Sequence, residues 1–364
     1  RDRYKEVQDP ETYIINNPNS KISIAIIPNP QGVTNLASRG NIYSLDNVII
    51  DKTSLRELYP GHLIDIVSYN NDIYSGWLRL FPNSLIWFDI SKLNQYPDID
   101  FTTFESLINS TKNLADKNIS AWCANSESGA STGWVQTNWL EDILLTTYGP
   151  EVYDEWSKLE IETSNIKIYS VLKDLGSFIF YPSMIENGHR EIFNIEFRNL
   201  PRVLLNNNND CFLSWSGHYF RYYIPEEYKY EKDFGVIKLP SVTYENSLVG
   251  IGDSLVLVEN NEVSIKTMQS LLSKNFGEVW AQKNDSEFIS ANKNFDSAFI
   301  ENSLTSYKFD ITHDALKNDM FRYDASEIMA RPIGANLLWK MLIDYIQQGP
   351  ESLVRLLNEL DKEI

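Results

Sequence analysis

Short β-branched runs alternate with helix-patterned segments along the first third of this chain, and that alternation restricts the fold more than any other feature. Ile22, Ile24, Ala25, Ile26 and Ile27 make a nearly continuous apolar run that Pro28 stops, the pattern of a buried parallel strand. Helical patterning follows over 31–39 and again near 54–68; NSLIWFDI then reads as a strand, 103–116 as a helix and 119–123 as a further strand. Strand and helix at this rhythm indicate βαβ units and a doubly wound α/β sheet. Open sheets of that kind place ligands beyond the carboxyl ends of their strands, which makes the loop at 28–32 a candidate binding element.

At 364 residues the chain is too long for one ordinary core and fits two lobes. In the middle, GSFIFYP reads as a strand, while CFLSWSGHYFRYYIP is too aromatic and too punctuated to be a simple one. Most rings of that segment, Phe212, Tyr219, Phe220, Tyr222 and Tyr223, are assigned to packing, because they cannot all face one small ligand. NSLVGIGDSLVLVEN gives a strand with Gly250, Gly252 and Asp253, followed by an amphipathic helix, and two helices close the chain. The Gly-x-Gly pair lacks the third glycine, the helix start and the downstream acid of a dinucleotide site, so that reading is set aside.

Charge narrows the partners. With 32 basic against 50 acidic side chains the chain carries −18, which repels nucleic-acid phosphates and anionic membrane surfaces but leaves a neutral solute unaffected. No run approaches the roughly 20 apolar residues of a membrane span. The start, RDRYKEVQDPETY, shows no apolar run or cleavage site, and this says nothing against export, since the leader of an exported protein would lie upstream or have been removed.

One stretch combines a polar, glycine-bearing loop with a tryptophan-rich helix: AWCANSESGASTGWVQTNWLEDILLTTYGPEVYDEW, 121–156. Sugars present hydroxyls that need fixed donors and acceptors, and flat C–H faces that need aromatic rings, so Ser126, Glu127, Ser128 and Trp134 suit them chemically. Trp134 also lies at helical spacing with Leu140, Ile143 and Leu144, where an aromatic belongs as readily to a core. The four histidines have no metal-ligand spacing, no Gly-x-Ser-x-Gly elbow is present, and neither a metal nor a cofactor is implied. The alternative is a glycoside-active enzyme, for which Glu127 and Asp253 would be the paired carboxylates if the fold brought them together; an exposed Glu at a helix start also serves the helix dipole. Cys123 and Cys211 both sit in strand-like segments; a bridge between them would close a loop of 88 residues, worth about 4 kcal/mol in a chain-entropy account, and two buried free thiols fit the sequence equally.

Taken together, IAIIPNPQGVTNLASRG, IYSGWLRLFPNSLIWFD, AWCANSESGASTGWVQTNWLEDILL, YGPEVYDEW, DCFLSW, GIGDS, FISANKNFD and FRYDASEIMARPIGANLLW resemble the family 1 extracellular solute-binding proteins, the sugar receptors of bacterial ABC importers, in their α-glucoside and glucosylglycerol branch. The resemblance runs nearly end to end and implies a monomeric, two-lobed periplasmic-binding-protein fold of the maltose-receptor type with hinge crossovers. It further implies a non-enzymatic receptor that closes on a small neutral glucoside such as glucosylglycerol, sucrose or trehalose and presents it to permease subunits. Its lobes would be 1–80 plus 249–291 and 81–248 plus 292–364, with the opening strand, helix and strand of the first lobe absent. The location implied is periplasmic or extracytoplasmic, with a membrane anchor on a missing leader. An oxidising location favours the Cys123–Cys211 disulfide.

The family's ligand positions map onto Asp2 and Gln31 in first-lobe loops, with Trp77 and Arg79 near the first crossover. Glu127, Ser128, Gly129 and Trp134 fall in the loop leading into the helix, and Ser216 and Tyr219 on a second-lobe wall. Gly250, Gly252 and Asp253 lie near the hinge, and Asp324, Arg331 and Trp339 in the C-terminal motif.

Overall fold

The β-branched and aromatic runs become nine strands among the described residues, which in this computed structural model are 9–46, 52–126, 128–241 and 243–364. They are β1 (Ile24–Ile27), β2 (Ser68–Tyr69), β3 (Asp72–Ile73), β4 (Ser75–Pro82), β5 (Leu85–Asp89), β6 (Leu213–Trp215), β7 (Phe234–Lys238), β8 (Leu248–Leu257) and β9 (Phe321–Tyr323). The chain forms two units, Arg1–Phe81 with Ile251–Asp319 and Pro82–Gly250 with Met320–Ile364. The backbone therefore passes between units at 81/82, 250/251 and 319/320, and β4 and β8 each carry one passage. The expected lobes put 292–319 in the second unit, but these residues belong to the first. Phe295 and Phe309 share a cluster with Ala281, Phe288 and Ile289, and His313 Nε2 donates to the Ser290 carbonyl at 3.0 Å.

In the first unit β1 pairs with β8, from Ile24↔Leu257 to Ile27↔Ser254, and β4 joins the other side of β8. The pairing of β1 is antiparallel, not parallel as the sequence reading had it. Apolar runs report burial but not strand direction, and this one is not buried on both faces: Ile27 is fully covered while Ile26 is 46% exposed.

The second unit holds the antiparallel sheet β6-β5-β7, in register at Ile86↔Trp215 and Trp87↔Val236. Its β9 pairs in parallel with the first residues of β8, from Leu248↔Phe321 to Gly250↔Tyr323. Trp122, Trp139, Tyr153, Trp156, Phe178 and Trp215 belong to one core in this unit. The segment GSFIFYP, expected as a strand, instead ends the helix Ile166–Ile179. Ile168, Val171, Leu172, Leu175 and Ile179 bury one helical face, and the helical period over fourteen residues prevails over a short apolar run that fits either state. The strand expected at 119–123 shrinks to bridges from Trp122 to Ile185 and Leu213. Next to it Cys123 and Cys211 are joined in a disulfide, with Cα atoms 5.3 Å apart.

The tryptophan-rich segment becomes the helix Trp134–Ser157, broken at Gly149, whose φ of +81° precedes Pro150. That backbone region is open to glycine, and Tyr244 leaves no room for a side chain there, its ring 2.4 Å from where a Cβ would sit. Towards the C-terminus a π-helical stretch, Pro332–Leu338, runs directly into Trp339–Gln348, and Leu353–Glu363 buries Leu353, Leu356, Leu357 and Leu360.

Candidate functional site

In the second unit the loop before the long helix is tied down by its own polar groups. Ser126 is fully buried and donates to Gln136 Oε1 at 2.6 Å, and Gln136 Nε2 returns a bond to the Asn125 carbonyl at 3.0 Å. Ser126 thus anchors the loop. Ser128 is half-buried, its backbone N–H donating to Thr132 Oγ1 at 3.1 Å, and Gly129 is exposed with φ +57°. Glu127 lies outside the described residues, as does Asp2. The helix then begins at Gly133, where φ is +107° and a Cβ would lie 2.9 Å from the Trp339 carbonyl oxygen.

Trp134, the first helical residue, is half-buried with its ring edge-on to Tyr219 at 4.9 Å and to Phe197 at 5.9 Å. Tyr219 belongs to the short 3₁₀ turn His218–Tyr223, and burial pushes its phenol pKa up, with the Ser216 hydroxyl lowering it in part. Ser216 is 3% exposed and its Oγ lies 3.1 Å from Ser214 Oγ. One turn after Trp134, Asn138 Nδ2 donates to Asp324 Oδ2 at 2.7 Å. Asp324 also accepts from Ser326 Oγ at 2.6 Å, and its backbone N–H donates to the Gly250 carbonyl at 2.9 Å. Burial raises the Asp324 pKa, opposed by its bonds from Ser326 and Asn138. Trp339 is half-buried beside Gly133, and Arg331 is exposed.

The structure thus brings Trp134, Ser216, Tyr219, Gly250, Asp324 and Trp339 onto elements that pack around the start of one helix. Sequence reasoning missed Asn138, although its spacing of four from Trp134 puts both on one helical face. Asn83, 3% exposed on the turn between β4 and β5, carried no sequence signal.

The first unit places its expected residues differently. Trp77 is 2% exposed, with Nε1 donating to the Leu63 carbonyl at 2.8 Å, and is a packing residue rather than a ligand contact. Arg79 is partly exposed and its Nε donates to Asp253 Oδ2 at 2.5 Å. Its guanidinium lies 4.6 Å from the Phe81 ring centre and 5.1 Å from that of Trp280, within cation–π range. Gly252 is required by close approach, since a Cβ would meet the Arg79 carbonyl oxygen at 2.6 Å. Because β1 ends opposite Ser254, its exit loop emerges beside Asp253 and leads to half-buried Gln31. With Oδ2 held by Arg79, Asp253 presents its other oxygen as an acceptor.

Among the described residues no helix is long and apolar enough to cross a membrane. The chain is similar to the osmoprotective compounds-binding protein GgtB of Synechocystis sp., 26% identical over 341 residues that cover 93% of this chain and 79% of that protein. It is also similar to the alpha-glucosides-binding periplasmic protein AglE of Rhizobium meliloti, 24% identical over 334 residues, or 89% of this chain and 71% of that one. Among solved structures, the bacterial solute receptor AcbH matches with a TM-score of 0.76 at 11% identity, over 97% of this chain and 86% of its own. At that identity the likeness speaks for the fold. No protein-family model matches the chain.

Proposed function

We propose that this chain is a solute receptor of a bacterial ABC sugar importer, of the family 1 extracellular solute-binding type, as its two curated relatives support, and that it captures a small neutral glucoside for delivery to a permease. The observation that carries the reading is the half-buried Trp134, edge-on to Tyr219 and on the same helix as Asn138, whose amide bonds to Asp324. An aromatic surface next to fixed amide, hydroxyl and carboxylate groups matches the faces and hydroxyls of a sugar. One relative is an osmoprotective compounds-binding protein and the other an alpha-glucosides-binding protein, which supports a glucoside as the solute; glucosylglycerol, sucrose and trehalose are the ones the sequence resemblance points to. The receptor works outside the cytoplasm as a monomer and binds without chemical turnover.

Thermal melts with glucosylglycerol, sucrose, trehalose and maltose, with product analysis on the same samples, test this. A ligand that binds only the native state at a hundredfold excess over its Kd adds about 2.7 kcal/mol of stability. The expected result is a raised Tm with at least one of these sugars and no released glucose. Four unchanged melts would overturn the choice of solute, and released glucose would overturn the receptor role.

A further inference from the structure

Three carboxyl groups lie buried where the chain enters and leaves the second unit. Glu141, Asp142 and Asp324 are 0%, 1% and 6% exposed. The first two sit in the helix Trp134–Ser157, and the stretch 138–142 of that helix is tied to residues beside all three passages. Asp142 accepts from Ser84 Oγ, just past the first passage, and Ser84 Oγ accepts in turn from the Val249 N–H at 2.9 Å, just before the second. Past the third passage, Asp324 accepts from Asn138 Nδ2 at 2.7 Å, and Glu141 Oε1 accepts from the Ser326 N–H at 3.2 Å.

The other Glu141 oxygen faces a hydroxyl whose proton has two claimants. Tyr153 Oη lies 3.0 Å from Glu141 Oε2, 2.9 Å from the Tyr323 carbonyl oxygen and 3.0 Å from the Ala325 nitrogen. The Ala325 N–H donates to it, and a phenol has one proton of its own to give. That proton cannot reach both the Tyr323 carbonyl and an ionised Glu141. All three contacts are made at once only when Glu141 carries a proton and donates it to Tyr153 Oη, which leaves Tyr153 to donate to Tyr323.

The surroundings agree on which acid is neutral. Asp324 accepts from Asn138 Nδ2, from Ser326 Oγ at 2.6 Å and from the Glu327 N–H at 3.3 Å, a donor set that favours the ionised form. Burial holds the Glu141 pKa well above the ordinary carboxyl range and the Asp324 charge adds to this, against bonds from the Ala325 N–H, the Tyr153 hydroxyl and the Ser326 N–H. Tyr153 stays a phenol, its own pKa raised by burial and then by the Glu141 and Asp324 charges. Arg322, the residue before Tyr323, is engaged with Asp154 at 2.7 Å, and Lys238 acts on Asp142.

We propose that neutral Glu141 is a proton-operated latch: its O–H, relayed through Tyr153 to the Tyr323 carbonyl, fastens the third passage to the long helix, and loss of that proton at alkaline pH releases it. On ionisation the proton leaves to solvent, the Tyr153 proton turns to Glu141, and the Tyr323 carbonyl loses this donor. A buried charge is then left facing Asp324, and their repulsion acts against the segment 323–326. Because the folded pKa is raised, the latch contributes fully below the unfolded value near 4.5 and is lost as pH rises through the folded one. It acts on the fold and does not depend on which solute binds.

Isotope-edited infrared spectroscopy of the full chain, with glutamate labelled at its side-chain carboxyl carbon, reads the proton, and hydrogen exchange of 323–326 reads the latch. The expected result is a protonated glutamate band at pH 7 that is absent from Glu141→Gln. In Tyr153→Phe, which removes the acceptor, the band should shift, and this keeps the assignment possible if Glu141→Gln does not fold. As pH rises the band should vanish while protection of 323–326 falls, on the order of tenfold beyond any fall in the helix Ile166–Ile179 of the same sample. Glu141→Gln, whose amide donates without titrating, should lack that excess. No protonated glutamate band at pH 7 would overturn the latch. So would a band that survives until the protein unfolds, or one that vanishes without added exchange in 323–326.

Discussion

Asp142 lies 1% exposed, with Ser84 Oγ donating to one oxygen and Trp215 Nε1 to the other. Burial raises its pKa to about 7, against the lowering effect of those two donors. Its folded pKa thus lies above its unfolded value of 3.8, so the stability it contributes is fully present below about pH 4 and is lost as pH rises through 7. Glu141 and Asp324, also raised chiefly by burial, act in the same direction. We expect Asp142→Asn, which imitates the protonated form, to flatten the fall in urea-unfolding stability between pH 5 and pH 8 by a few kcal/mol, with a residual slope from the other two acids. A slope as steep as in the unaltered protein would contradict this. Trp134 is the second residue whose chemistry is testable alone. Trp134→Ala removes the ring beside Tyr219 and is expected to weaken sugar binding by roughly tenfold, since aromatic contacts of this kind contribute about 0.5–1.5 kcal/mol beyond area burial; unchanged affinity by calorimetry would return Trp134 to the core. Trp134 was legible as a candidate because tryptophan beside a polar loop is chemically suggestive. Ser126 looked equally suitable and is sequestered, because only the folded loop puts Gln136 within its reach.

The long helix shows how an element combines local and distant requirements. Its start at Gly133 needs a positive φ and a close approach to the Trp339 carbonyl, whereas Gly129, at φ +57°, has nothing within 4 Å of a built Cβ. Gly129→Ala should therefore cost about 1–2 kcal/mol, the ordinary penalty of the left-handed region, and Gly133→Ala should cost more because a steric clash adds to it. Chemical denaturation of the two variants checks the order, and equal losses would refute the close approach. Helical patterning in the sequence located this helix, the 103–116 helix, found as Phe104–Ala115, and both C-terminal helices. It failed at GSFIFYP, where a β-branched and aromatic run happened to form the last turn of a helix.

At the scale of the whole molecule, the Cys123–Cys211 disulfide ties the loop before the long helix to the start of β6 in the second unit. Replacing both cysteines with serine should remove up to about 4 kcal/mol by relaxing an 88-residue closure in the unfolded chain; a Tm unaffected by the replacement would show that the closure contributes little. Net charge makes a separate prediction. A chain at −18 that binds a neutral glucoside should show the same affinity from low salt to 0.5 M NaCl, because screening acts on charges the ligand lacks. A strong salt dependence would mean a charged ligand.

Residue types and their order were enough to determine the fold class and the helix that carries Trp134, because each depends on composition, period or motif wording. Strand direction for β1, the place of 292–319, the burial of Trp77 and the bond from Asn138 to Asp324 were decided only in three dimensions. Each depends on which distant segment supplies the neighbouring surface or hydrogen-bond partner, and β8 opposite β1, Phe288 against Phe295 and Asp324 on Asn138 are pairings between segments that no local pattern connects.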